Sequence, residues 1–223
     1  MALSGRQRAE LVLAAAAFLC GAVAAAALTR TQASFGGSCP LYGRPDWNGS
    51  VLSLPQPSAP SLCYFVAGTS GFLGLYCLLV LLYWIYSSYI EDSPRGRVAL
   101  GVSLAVSAVG VSAVLLTACI LQVGTDSLCA SLVRSKAVKS CPEVEKISWT
   151  PPGTGLQSYT NLHNATAASW VSLALWCLIL MLQGVEWKYQ TPPFRPSERG
   201  DPEWSSETDA LFRSRPSPTS RGN

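Results

Sequence analysis

Cysteine, asparagine and a lone histidine are the residues of this 223-residue chain whose placement bears most on chemistry. Its eight cysteines fall into two sets. Cys39 and Cys63 belong to one polar, proline-rich stretch and Cys129 and Cys141 to another, while Cys20, Cys77, Cys119 and Cys177 fall one in each of four apolar runs. The first four have three chemical options: disulfides, thiol nucleophiles or zinc ligands. Even pairs confined to two segments, with none in residues 91–97 or the carboxyl-terminal tail, fit an oxidising compartment in which disulfides persist. Four cysteines allow three connectivities. The local one, Cys39–Cys63 with Cys129–Cys141, has the simplest closure, and a bridge between the two segments also makes structural sense. Two sequons, Asn48-Gly49-Ser50 and Asn164-Ala165-Thr166, lie in the same two stretches and mark acceptors for N-glycosylation in a secretory compartment. Asn48 is far from any apolar run and open to the transferase; Asn164 lies about six residues before Trp170, close to the bilayer, where access is poor. His163 has no Cys, Asp or Glu at ligand spacing and reads as a polar loop residue.

Catalytic signatures are missing from the sequence. It contains no G-x-S-x-G, H-E-x-x-H, P-loop or dinucleotide-binding fingerprint, so neither a catalytic residue nor a metal or cofactor is expected. Ionisable residues inside a bilayer are costly and mark ion or proton pathways. The four apolar runs have none between their ends, and Gln122 and Gln183 read as marginal. A coupled transporter acting alone is therefore disfavoured. The net charge of +3 is small and unclustered, which speaks against a nucleic-acid partner.

The elements that must position these residues follow from composition. Only 13% of residues are charged, against about 25% in an ordinary soluble domain. Four stretches are long enough for a spanning helix, which needs roughly 17–25 residues: 11–28, 62–90, 98–123 and 167–186. The expected fold is an all-α membrane protein, a four-helix transmembrane bundle with a small disulfide-bridged outer portion. Residues 1–10 and the tail 187–223 are then cytoplasmic, 91–97 is a cytoplasmic turn, and 29–61 and 124–166 are outer or lumenal loops. The first run has a rival reading. Arg6 and Arg8, the apolar 11–19 segment and Ala22-Val23-Ala24 have the form of a signal peptide with a cleavage site. The apolar run continues through Leu28 without a polar region, which favours retention as a helix.

Charge supports this sidedness gently. Arg6, Arg8, Arg95, Arg97 and the tail's basic residues outnumber Arg30, Arg44, Arg134, Lys136, Lys139 and Lys146, and cytoplasmic loops carry the excess of Lys and Arg. Aromatic belts mark the interfaces: Trp170 and Trp187 bracket the fourth run, Tyr64 and Phe65 the outer end of the second, and Tyr83, Trp84, Tyr86 and Tyr89 its inner end. Small residues recur on three runs: Ala17, Gly21 and Ala25; Gly68, Gly71 and Gly74; Ser103, Ser107 and Gly110, with Thr117 two turns on. Such spacing lets helix backbones approach closely in lipid, so a tight bundle is expected.

Five prolines (Pro40, Pro45, Pro55, Pro57, Pro60) exclude long helices from the first outer loop, where 50–54 could form a short strand. The second outer loop can begin helically over 127–139 and must turn at Trp149-Thr150-Pro151-Pro152-Gly153. The tail has the composition of a disordered segment, apart from DPEWSSETDALF (201–212), an acidic stretch with Trp204, Leu211 and Phe212 that could recruit cytosolic factors. Ser206, with Asp209 three residues on, fits an acidic-directed phosphosite.

The sequence resembles the transmembrane protein 179 family. The matching stretches are AAAAFLCGAVAAAALTRTQ (14–32), CPLYG (39–43), PSAPSLCYFVAG (57–68), WIYSSYIEDS (84–93), WTPPGTGLQSYTNLHNA (149–165) and ERGDPEWSSETDAL (198–211); the likeness fades over the last dozen residues. The resemblance implies an uncleaved multi-pass protein with four spans and no particular reaction. Claudin-like packing is a wider analogy. The Trp47…Cys63 region resembles the claudin outer loop, but the tight Cys pair and upstream Trp pattern are missing, and the second outer loop is the longer one. Tetraspanins fit no better, since that loop has no Cys-Cys-Gly. The expected function is a non-enzymatic tetraspan scaffold or accessory subunit in the plasma membrane or secretory or endosomal membranes. It would sit in the lipid bilayer and bind other membrane proteins. The alternative is an oligomeric channel or transporter component.

Overall fold

A computed structural model describes residues 5–90, 97–150, 152 and 157–190. In chain order these form helix α1 (Gly5–Ser34), strands β1 (Cys39–Trp47) and β2 (Leu52–Ser58), α2 (Pro60–Ile90), α3 (Arg97–Arg134), a 3-10 helix (Cys141–Lys146) and α4 (Ser158–Gln190). Residues 1–188 make one compact unit; the second, 189–223, contributes only Tyr189 and Gln190 to the described residues. The turn expected over 91–97, apart from Arg97, lies outside them. So do the segment 201–212 and Ser206.

All four long helices are long and apolar enough to cross a membrane. Each is longer than its apolar run. α1 continues to Ser34 because Thr31 and Gln32 are buried at its end: Thr31 Oγ1 donates to the Ala27 carbonyl at 3.0 Å and Gln32 Nε2 to the Gly37 carbonyl at 3.1 Å. Gly36 and Gly37, both at positive φ, then stop it, as glycine does past a helix C-terminus. α3 runs without a break to Arg134, so the helical start expected over 127–139 of the second outer loop is the end of this helix and stops at 134, and α4 begins at Ser158, before both His163 and Asn164. These two residues are therefore helical and exposed, not in a loop. Helix length in lipid is set by the apolar run, but beyond it a helix persists wherever one face still has something to bury.

Two kinds of contact hold the helices together. Between α1 and α2 the backbones nearly touch. A Cβ added at Gly21 would lie 2.8 Å from the Ser70 carbonyl oxygen and 3.2 Å from the Gly74 Cα, and one at Gly71 would meet the Ala25 Cβ at 3.8 Å. Gly68, on the same expected stripe, faces nothing within 4 Å. Between α3 and α4 the contact is made by side chains. Trp176 is almost fully buried, with its ring 2.7 Å from where a Gly110 Cβ would stand and stacked against Tyr76 at 6.1 Å. Lower on the same pair, Ser107 Oγ donates to Gln183 Oε1 at 2.8 Å, and Gln183 Nε2 donates to Ser103 Oγ at 2.9 Å. Gln183 is 5% exposed, so it is an interior clamp and not a marginal residue.

Strands β1 and β2 form an antiparallel hairpin (Cys39↔Ser58, Arg44↔Gln56, Asp46↔Ser53, Trp47↔Leu52) with two register shifts along β1. The strand suggested over 50–54 thus starts at Leu52 and has a longer partner. The four prolines within the hairpin keep their place because they sit on a two-stranded ribbon with an irregular ladder, where few N–H groups are needed. Asn48 and Gly49, the latter at φ +80°, make the turn.

Candidate functional site

The most structured region outside the apolar core is the module built from the hairpin, the 3-10 helix and the far end of α3. Its assembly can be followed residue by residue. Leu41 of β1 is fully buried against α3, where Gly124 leaves room for it: an added Cβ there would come within 2.6 Å of Leu41 and 3.1 Å of Tyr42. Tyr42 adopts positive φ, an unusual state for an aromatic residue, and its hydroxyl donates to the Ile120 carbonyl at 3.4 Å. Ser131 Oγ donates to the Gly43 carbonyl at 3.3 Å. Gly124, Ile120 and Ser131 of α3 thus together seat β1.

β2 is held from its other side. The Leu52 N–H donates to the Ser148 carbonyl at 3.0 Å and the Thr150 N–H to the Leu52 carbonyl at 2.9 Å, a single parallel bridge to Trp149. Leu52, Leu132, Val138, Val144 and Trp149 form a separate small core. Trp149 donates its indole N–H to the Val144 carbonyl at 3.2 Å and meets Phe35 edge-on at 5.3 Å. Glu145 links the 3-10 helix to α4: its carboxylate accepts from the Thr160 N–H at 2.7 Å and from the Thr160 hydroxyl at 3.2 Å. That places an anion on the first turn of α4, where the helix dipole favours it. Glu143 turns back to accept from the N–H groups of Lys139 at 3.1 Å and Ser140 at 3.4 Å. These bonds hold its carboxyl below the usual range, those from the Lys139 and Ser140 backbones foremost.

The four cysteines meet in local pairs at disulfide distance, Cys39 with Cys63 and Cys129 with Cys141, each with Cα atoms 5.7 Å apart. The first ties the start of β1 to the first turn of α2. The second ties the extended end of α3 to the 3-10 helix. With loops of 24 and 12 residues, each bridge stabilises the folded state by about 3 kcal/mol on the chain-entropy account. The bundle cysteines Cys20, Cys77, Cys119 and Cys177 are free.

Beside this module, between α3 and α4, lies a cavity of about 220 Å³ lined by Gln122, Thr125, Asp126, Cys129, Tyr159, His163, Thr166, Ala167 and Trp170. Gln122 is its hub. Its amide nitrogen donates to Asp126 Oδ2 at 2.9 Å, and its carbonyl oxygen accepts from the Trp170 indole at 3.3 Å. The Tyr159 and His163 rings lie 6.1 Å apart. A smaller apolar void of about 20 Å³ lies among Phe35, Leu128, Cys129, Leu132, Trp149 and their neighbours. Among the described residues no group of three His, Cys, Asp or Glu side chains is placed to hold a metal ion.

A family profile described as the transmembrane protein 179/179B claudin domain matches residues 6–212. The chain belongs to that family. It is 66% identical to human transmembrane protein 179B over 96% of this chain and 98% of the human one. The mouse transmembrane protein 179B is 59% identical over 95% and 96%, and the zebrafish protein 35% over 91% and 93%. No solved structure matches. The expected family and the claudin-like, mostly helical membrane fold are thereby shown; the hairpin is an addition to the all-α expectation. Neither Trp176, Gly124 nor the α3–α4 cavity stands out in the sequence of this family member. Trp176 lies within the fourth apolar run between the belt residues Trp170 and Trp187, and Gly124 lies just past the third. The cavity exists only once α3 and α4 are brought together.

Proposed function

We propose that this transmembrane protein 179/179B family member is a non-enzymatic tetraspan scaffold or accessory subunit that binds other membrane proteins through its stapled outer module and adjoining helix faces. The observation that carries this reading is the seating of the module. Two disulfide pairs, the Leu41–Gly124 contact and the Glu145–Thr160 bonds fix the hairpin and the 3-10 helix to the end of the bundle. A surface held this firmly loses little conformational entropy on binding, so more of its contact energy appears as affinity.

In this reading both termini are cytoplasmic and the module lies in the lumen or outside the cell, in the plasma membrane or secretory or endosomal membranes. The cysteine pairs support that sidedness, because disulfides persist in oxidising compartments. Asn48 then carries a glycan at the exposed hairpin turn, while Asn164, on α4 six residues before Trp170, does not. Segment 201–212, with Ser206 as its phosphosite, recruits cytosolic factors. Crosslinking in intact membranes tests the reading: a specific set of membrane proteins should be captured by the full chain and lost when the module is unseated by Gly124→Leu. Capture of the same set by both would overturn it. Asn48→Gln should remove one glycosidase-sensitive step in gel mobility and Asn164→Gln none.

A further inference from the structure

We infer that the cavity between α3 and α4 is a binding site for an ammonium group, supplied by the headgroup of a zwitterionic phospholipid or by a soluble amine. Its lining has one carboxylate, that of Asp126, with His163 as its one basic side chain and no Lys or Arg. An anion would meet that carboxylate with no fixed cation to offset it. A cation would be attracted by it.

The remaining wall suits the same ligand. Thr125 adds a hydroxyl-bearing side chain to the lining. Tyr159 and Trp170 contribute aromatic rings, the side chains that hold ammonium and quaternary ammonium groups through the negative face of the ring. Gln122 holds the arrangement ready. One amide fixes both the carboxylate and the indole, leaving the other Asp126 oxygen for a ligand. The volume exceeds the roughly 150 Å³ of a cavity that admits benzene, enough for an ethanolamine or choline group.

The position in the bundle favours the lipid as the source. Trp170 is half exposed in the wall, as expected for an interfacial belt residue. The adjoining Val123 and Val171 are exposed apolar residues on the same two helices. The cavity thus lies where the apolar surface gives way to the polar module, at the depth of a headgroup.

The test uses the full-length protein in nanodiscs of mixed phosphatidylethanolamine, phosphatidylcholine and phosphatidylglycerol. Lipids retained after gentle release are counted by native mass spectrometry. A second arm titrates ethanolamine and choline onto protein in lipid-free detergent. Wild type should retain phosphatidylethanolamine or phosphatidylcholine over phosphatidylglycerol. Asp126→Asn, nearly identical in shape, should reduce that retention about tenfold, a carboxylate–ammonium bond being among the strong ones. Trp170→Phe, which keeps a ring but removes the bond to Gln122, should reduce it less. Saturable binding of the soluble amines that Asp126→Asn abolishes, without lipid enrichment, would support the ammonium site and assign it to a soluble ligand. Equal retention of all three lipids with no amine binding would overturn the inference. So would Asp126→Asn binding like wild type while keeping both disulfides on a non-reducing gel.

Discussion

The two helix pairs solve one packing problem in opposite ways. In lipid the hydrophobic effect does not press helices together, so association rests on close van der Waals contact and interhelical hydrogen bonds. α1 and α2 use the first. Gly21 and Gly74 bring the backbones together at van der Waals distance, with Ser70 alongside. α3 and α4 use the second together with bulk: Trp176 fills the gap opposite Gly110, and Gln183 bonds to Ser103 and Ser107. A glycine seam leaves no room for anything else. A seam propped by large side chains can open, and toward the module it does, into the cavity around Gln122 and Asp126. The hairpin also sits on α3, at Gly124. The α1–α2 pair is therefore built to hold, and the α3–α4 pair to present.

This contrast can be broken by substitution. The largest effect is expected at Trp176→Ala, since removal of a buried Trp costs about 3–5 kcal/mol. Denaturant unfolding in mixed micelles should show a loss of that size, because no glycine seam compensates. The α1–α2 pair should be sensitive at Gly21 and tolerant at Gly74. Alanine at 21 would push on the Ser70 carbonyl at 2.8 Å, a backbone atom that cannot swing aside, whereas at 74 the nearest atom is 3.5 Å away, an ordinary contact. The same assay should find Gly21→Ala destabilised by about 1–3 kcal/mol and Gly74→Ala by less than about 1. Equal losses at both would mean that the backbones are not in contact where described. Gln183→Leu comes next. It removes two interhelical hydrogen bonds, each worth about 0.6 kcal/mol in a membrane, so a loss of about 1 kcal/mol is expected.

The smallest effect concerns the module alone. The Glu143 carboxyl is held below its usual range by the Lys139 and Ser140 N–H groups, so its ionised form favours the folded state. That contribution is complete above the ordinary carboxyl pKa and is lost as pH falls through the lower folded-state value. Glu143→Gln should flatten the acid limb of the module's hydrogen-exchange protection and leave neutral pH nearly unchanged. The side chain is only half-buried and solvent screens its charge, so the change should be slight.

The contrast also explains what could be read before the structure. Spans are legible because a bilayer demands a long run without charge, and the cysteine pairs because they are the ones close in sequence. Glycine stripes are legible in part: Gly21 and Gly74 face each other, whereas Gly68 on the same pattern faces nothing. Helix ends are not legible, since from Gly124 to Arg134 the helix is held by Leu41, Gly43 and the small module core rather than by lipid. The hairpin is masked by its prolines, which lower strand propensity while leaving an irregular two-stranded ribbon permissible. Trp176 and Gln183 carry no sign of the partners that define them. The cavity joins lining residues of α3 and α4 that stand at least 30 positions apart, which no local pattern joins.

The most direct test of the scaffold reading is photo-crosslinking in intact cells, with a photoreactive residue placed at the exposed Ser50 beside the hairpin turn, in wild type and in Gly124→Leu. Wild type should give a discrete set of membrane-protein adducts and Gly124→Leu should lose them, with the protein still inserted in the membrane. An unchanged set of adducts from Gly124→Leu, or none from wild type above a lipid-only background, would contradict that reading.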